Sequence, residues 1–179
     1  MKFQELKLKG AFVISLEKIE DERGFFTRSW DKEIFEKYKI DSNVLQCNIS
    51  HNSKKGTIRG LHYQSNPFEE AKVVRCTKGK AFEVLIDLRK NSETYLKWTS
   101  VEISSDNLKM IFVPKGFALG FQTLEDETTL FYQMSQIYKP EYAKGIRYDD
   151  DYLKITWPLE TTVISQKDKS WKSIDEKLI

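Results

Sequence analysis

The stretch AFEVLIDL, residues 81–88, decides the fold class. Phe82, Val84, Ile86 and Leu88 fall on one face, and Glu83 and Asp87 on the other. That is the period of a strand, not of a helix. Just upstream, KVVRC (72–76) is a second apolar run, and TKGK (77–80) between the two reads as a compact hairpin turn. LKMIFVP (108–114) and TLFYQMSQIY (129–138) are further strands, separated by KGFALGFQTLEDET. Turn signals recur at short intervals, as in a sandwich or barrel. One helix interrupts the pattern: WDKEIFEKYKI (30–40) puts Trp30, Ile34, Phe35 and Tyr38 on one stripe, with Ser29 as the expected N-cap. SQKDKSWKSIDEKL (165–178) in the polar tail reads as a short helix. The expected fold is mainly β, an antiparallel barrel or sandwich with helical trimmings, in one domain spanning 1–179.

The totals narrow the function classes. Of 179 residues, 40% are hydrophobic and 31% charged, as in a soluble globular protein. A net charge of +2, with Lys and Glu mixed along the chain, offers no basic block for nucleic acid or an anionic membrane. No apolar run is long enough to span a bilayer. The N-terminus MKFQELKLKG is charged and lacks an apolar signal core. Cys47 and Cys76 form neither a CxxC pair nor a disulfide framework, so a reduced, cytoplasmic setting is expected. His51 and His62 are eleven apart, with no HxH or HExxH, so no bound metal is expected.

GTIRGLHYQ (56–64) is where chemistry concentrates. Arg59, His62, Tyr63 and Gln64 crowd polar groups into a run that otherwise reads as a core strand between Ile58 and Leu61. Burying that polarity is costly unless it faces a cavity. Arg59 and His62 are three apart and would point to opposite faces of a regular strand. A bulge at Gly60 would shift the register by one and bring both to the same face. Tyr132, Lys72 and Asp168 read in isolation as a packing tyrosine, a solvated lysine and a surface carboxylate. His51 reads as a loop residue.

Taken together, DERGFF (21–26), GTIRGLHYQ (56–64), KVVRCTKG (72–79), FVPKGFALGF (112–121) and ITWP (155–158) resemble the dTDP-4-dehydrorhamnose 3,5-epimerase family, in order and over nearly the whole chain. The resemblance implies a cupin: a double-stranded β-helix or jelly roll, homodimeric, using neither metal nor organic cofactor. It implies isomerase activity on nucleotide-linked 4-keto-6-deoxy sugars, in deoxysugar biosynthesis for surface polysaccharide. By the same resemblance His62 is the base and Asp168 the carboxylate that orients it. Tyr132 matches the acid on the far face, and Lys72 the cation beside the enolate oxygen. Arg59 looks like a phosphate or sugar contact. Arg23, Phe26, Gln46, Asn48 and Tyr138 match positions that bind the nucleotide, and Glu83 one that holds Lys72 in place.

Three departures bear on the substrate. Leu119 stands where the family motif reads GFAHGF. Arg28 stands where FFxE is usual, and its donors suit the acceptors of guanine better than the N3–H of thymine. The segment CNISHNSKK (47–55) looks one residue longer than in close relatives. These differences open the nucleotide to GDP as well as dTDP, carrying a hexose or heptose, with inversion at C3 and C5 or at C3 only. A 3,4-ketoisomerase on the same substrate class and a non-catalytic sugar-nucleotide-binding cupin are the rival readings.

Overall fold

The computed structural model describes residues 1–174. The strands, in chain order, are β1 (Lys2–Glu5), β2 (Phe12–Ser15), β3 (Ile19–Asp21), β4 (Gly24–Phe26), β5 (Gln46–Asn52), β6 (Thr57–Gln64) and β7 (Lys72–Lys78). They continue with β8 (Lys80–Asp87), β9 (Trp98–Ser104), β10 (Lys109–Val113), β11 (Phe117–Thr123), β12 (Thr128–Met134), β13 (Ala143–Gly145) and β14 (Val163–Ile164). The helices are α1 (Lys32–Lys37) and α2 (Gln166–Lys169).

Two sheets face each other as a jelly roll. One runs β1-β2-β10-β7-β12-β5, antiparallel throughout. The other runs β13-β6-β11-β8-β9, with β14 added in parallel to the start of β6. Strands β3 and β4 form a separate hairpin arm. The space between the sheets is filled by Leu8, Val74, Cys76, Leu85, Ile103, Ile111, Phe117, Phe121 and Leu130 among others. Each sheet also carries an apolar outer layer. Phe35 and Ile40 cover Val73, Met110 and Phe112 on the first. Ile146 and Leu153 cover Val84, Ile86 and Ala118 on the second.

This layering explains β8. Its alternation is as expected, but both faces are buried: Val84 and Ile86 pack outward, while Glu83 and Asp87, each 0% exposed, point between the sheets. The polar face of the strand therefore looks onto the barrel interior rather than onto solvent.

Four local expectations are corrected. TKGK is not a hairpin turn: β7 and β8 lie in different sheets, and the chain crosses between them at Gly79. That glycine has φ +76, and a Cβ there would stand 2.6 Å from Thr128 Oγ1. The first helix is capped by Asp31, not Ser29. Asp31 is extended and its carboxylate accepts from the Ile34 N–H, so helical backbone begins only at Lys32. The helix ends before Lys39, which turns left-handed at φ +57. The tail helix covers only 166–169. Residues 170–174 are not helical, and 175–178 lie outside the described residues. His51 is not in a loop: it lies in β5, opposite Thr129, whose hydroxyl is 3.0 Å from its Nδ1.

Candidate active site

The expected bulge is present. Leu119 pairs with His62 and Phe121 with Arg59, so two steps on β11 span three on β6. Gly60, at φ +123, sits between them against Gly120, and a Cβ there would lie 2.5 Å from the Gly120 Cα. Only glycine allows the two backbones to approach so closely. The added residue turns Arg59 and His62 into the same cavity, of about 650 Å³, whose floor is core: Val74, Phe121 and Leu130 belong to both.

His62 meets a carboxylate delivered from far along the chain. Its Nε2 lies 2.6 Å from Asp168 Oδ1. Asp168 sits in the single turn of α2, whose cap Ser165 accepts from the Asp168 N–H through its hydroxyl. Gly60 N–H and Trp171 Nε1 also donate to this carboxylate, each at 3.3 Å. Burial acts to raise the Asp168 pKa. The His62 hydrogen bond and charge, with the Gly60 and Trp171 bonds, outweigh it and hold the pKa below the usual value. Asp168 is thus a carboxylate at neutral pH. With Nε2–H committed to Asp168, Nδ1 is left as the proton acceptor of His62.

The opposite sheet supplies a phenol and an ammonium. Tyr132, on β12, lines the cavity. Burial raises its pKa and the Glu70 charge adds to this, against the Arg59 charge, so the phenol keeps its proton. Lys72 opens β7 and is nearly buried, with its Nζ 2.8 Å from Glu70 Oε1. Arg59 is held rigidly: Nε donates to Asn52 Oδ1 at 2.7 Å and Nη2 to the His51 carbonyl at 3.3 Å. Leu119 and Tyr138 complete the wall.

The arrangement is an imidazole and a phenol from facing sheets around one cavity, with two cations beside it. It suits proton removal next to a carbonyl and stabilisation of the resulting oxyanion. Among the described residues no three His, Cys, Asp or Glu side chains gather as a metal site requires.

A model of the dTDP-4-dehydrorhamnose 3,5-epimerase family matches residues 5–176. The chain belongs to that family. It is 41% identical over 178 residues to the dTDP-4-dehydrorhamnose 3,5-epimerase of Methanothermobacter thermautotrophicus, covering 98% of this chain and 95% of that one. The Bacillus anthracis dTDP-4-dehydrorhamnose 3,5-epimerase, solved with TDP and pyrophosphate, superposes with a TM-score of 0.94 at 35% identity, covering 97% and 99% of the two chains. A Legionella pneumophila 3,5-epimerase in complex with dTDP-4-keto-L-rhamnose does so with 0.91 at 35% identity, covering 99% and 96%. The fold is accordingly that of the epimerase cupins, and the family's activity is an isomerase activity.

Within this family frame, the expected site residues divide into three groups. Arg59, His62, Lys72, Glu83, Leu119, Tyr132, Tyr138 and Asp168 all line the one cavity. Gln46 and Asn48 stand beside it on β5: Gln46 Oε1 accepts from the Tyr138 N–H at 2.6 Å, and Asn48 Nδ2 contacts Met134 Sδ at 3.3 Å. Arg23, Phe26 and Arg28 lie outside it. Arg23 and Phe26 are on the β3–β4 arm and Arg28 follows it; Arg23 pairs with Asp21, Arg28 with Asp31 at 2.8 Å, and Phe26 is 63% exposed. The expected Glu83–Lys72 pairing is corrected, because Glu70 takes the ammonium and neither Glu83 oxygen has a hydrogen-bond partner.

Glu70, Asn52 and Trp171 escaped the sequence reading. Each is one polar or aromatic residue in an ordinary setting. Glu70 carried the only usable signal, an acid two positions ahead of a lysine at the start of an apolar strand.

Proposed function

We propose that this protein inverts C3 and C5 of a dTDP-linked 4-keto-6-deoxyhexose, without a cofactor. The observation that carries the reading is the His62–Asp168 pair facing Tyr132 across one cavity. His62 Nδ1 removes the proton alpha to the ketone; the C–H electron pair forms a double bond to C4 and the carbonyl π pair moves onto the C4 oxygen. Lys72 and Arg59 offset the developing enolate charge. Tyr132 returns a proton to the opposite face and the ketone re-forms; the imidazolium then loses its proton to solvent and the phenolate regains one from it, which restores both groups for the second carbon. Asp168 holds the imidazole tautomer and stabilises the imidazolium, the role a carboxylate plays in a hydrolase triad.

The guanine alternative drew on Arg28. That guanidinium is already engaged with Asp31, the cap of α1, and Leu119 adds only an apolar wall beside His62. The relatives are named for dTDP sugars. Both favour thymidine. A homodimer belongs to the same proposal, since Ile19, Phe25 and Phe26 are exposed apolar surface on the arm that a second copy would cover. The test is deuterium incorporation from D2O, followed by NMR, with dTDP- and GDP-4-keto-6-deoxyglucose in parallel. Exchange at both carbons of the dTDP sugar is expected. Faster exchange with the GDP sugar would overturn the nucleotide assignment, and exchange at C3 alone would overturn the double inversion.

A further inference from the structure

Lys72 is not the only charged group in its corner of the cavity. Its ammonium is paired to Glu70 at 2.8 Å, with side-chain exposures of 12% and 4%. Glu83 reaches the same space from β8, fully buried, with no hydrogen-bond partner for either oxygen. One lysine therefore faces two carboxyl groups in a setting where water cannot screen them. A single ammonium balances one carboxylate, and a second buried negative charge would stand uncompensated.

We propose that Glu83 is a positioning residue that works in its protonated form: neutral, it leaves Lys72 with Glu70 as its one buried counter-charge and still able to meet the charge developing on the substrate's C4 oxygen, whereas ionised it would be a second carboxylate competing with that oxygen for the ammonium. The inference rests on the epimerase reading above.

The surroundings of Glu83 support this. Across the barrel it faces Lys72 and Cys76 on β7, Glu70 ahead of that strand, and Tyr132 on β12; Arg59 and His62 on β6 line the same cavity. On its paired strands Phe121 lies opposite on β11 and Val101 on β9, and Asp87, the other acid on this face of β8, is held by Arg89, Ser92 and Thr94. Burial pushes its pKa up to about 8 against the opposing pull of Lys72. Burial pushes the Cys76 thiol up to about 11, and Tyr132 lies above its ordinary 10. Loss of a proton near pH 8 thus falls on Glu83, and it adds a negative charge where an enolate must form.

The experiment is the pH profile of kcat/KM for deuterium exchange at C3 and C5, which reports ionisations of the free enzyme. In the wild type, kcat/KM falls about tenfold per pH unit above a midpoint near 8. Glu83→Gln, neutral at every pH, moves the midpoint of the fall from near 8 to beyond about pH 10, toward the ionisation of Tyr132. An unchanged midpoint in Glu83→Gln overturns the inference, as does a folded but inactive Glu83→Gln. No exchange by the wild type at any pH would instead overturn the epimerase reading, and the inference with it. A second readout needs no variant: in the wild type labelled with 13C-glutamate, one side-chain carboxyl titrates near pH 8. If every glutamate titrates below about pH 6, Glu83 is an ordinary carboxylate and the inference fails.

Discussion

His62 Nε2 and Asp168 Oδ1, 106 positions apart in the chain, stand 2.6 Å apart in the fold. One turn of helix, capped by Ser165, presents the carboxylate, and the Gly60 N–H and Trp171 Nε1 donate to it. The pair fixes which imidazole nitrogen is free, so its loss should disturb chemistry more than binding. Asp168→Asn is expected to lower kcat by about 10²–10⁴-fold, with KM changed little. Steady-state kinetics check this. A rise in KM at unchanged kcat would mean that Asp168 grips substrate rather than orienting the base.

Tyr132 and His62 stand on facing sheets, so removal and return of the proton are separable. Tyr132→Phe should still wash deuterium into the first carbon, because His62 remains. It should leave the configuration uninverted. NMR of the recovered sugar distinguishes the two steps, and normal inversion by Tyr132→Phe would remove the phenol from the mechanism.

Lys72 cannot be tested alone without leaving Glu70 buried and unpaired, which costs about 3–5 kcal/mol of stability. The double change Lys72→Gln with Glu70→Gln removes both charges and keeps both side chains similar in size. Its melting temperature should stay near that of the wild type, while kcat falls about 10²–10³-fold, the usual consequence of losing one oxyanion partner. A double variant with wild-type kcat would show that the ammonium does not stabilise the enolate.

Asp87, the other buried acid of β8, has the opposite environment to Glu83. It accepts from Arg89 Nε and Nη2, each at 2.8 Å, and from the Ser92 and Thr94 hydroxyls at 2.6 and 2.7 Å. Burial pushes its pKa up, but these bonds pull it down to about 2. A pKa depressed in the folded state gives stability that is complete above about 3.8 and lost as pH falls through about 2. Thermal melts from pH 5 to 2 should show that loss in the wild type and a flatter profile in Asp87→Asn. Equal slopes in this window would contradict the assignment.

The contrast within β8 also marks what the sequence could disclose. The alternation of 81–88 announced a strand, and Gly60 within a polar strand announced the bulge that joins Arg59 to His62. Both are local signals, carried by neighbours a few positions apart. The sheet assignment of β7 and β8 was not local, because a glycine turn looks the same whether it closes a hairpin or passes from one sheet to the other. The same holds for the lysine. Nothing in KVVRC tells whether Lys72 pairs with Glu83 across the barrel or with Glu70 beside it; depth of burial decides, and depth is set only once both sheets close. Arg23, Phe26 and Arg28 were legible as a motif but not as a location.

The central claim is that His62 takes the proton. Wild type and His62→Ala should be incubated with dTDP-4-keto-6-deoxyglucose in D2O and followed by NMR, with binding of dTDP measured alongside. Deuterium should enter C3 and C5 in the wild type and neither position in His62→Ala, while both proteins bind dTDP with similar affinity. Exchange by His62→Ala at the wild-type rate would contradict the account.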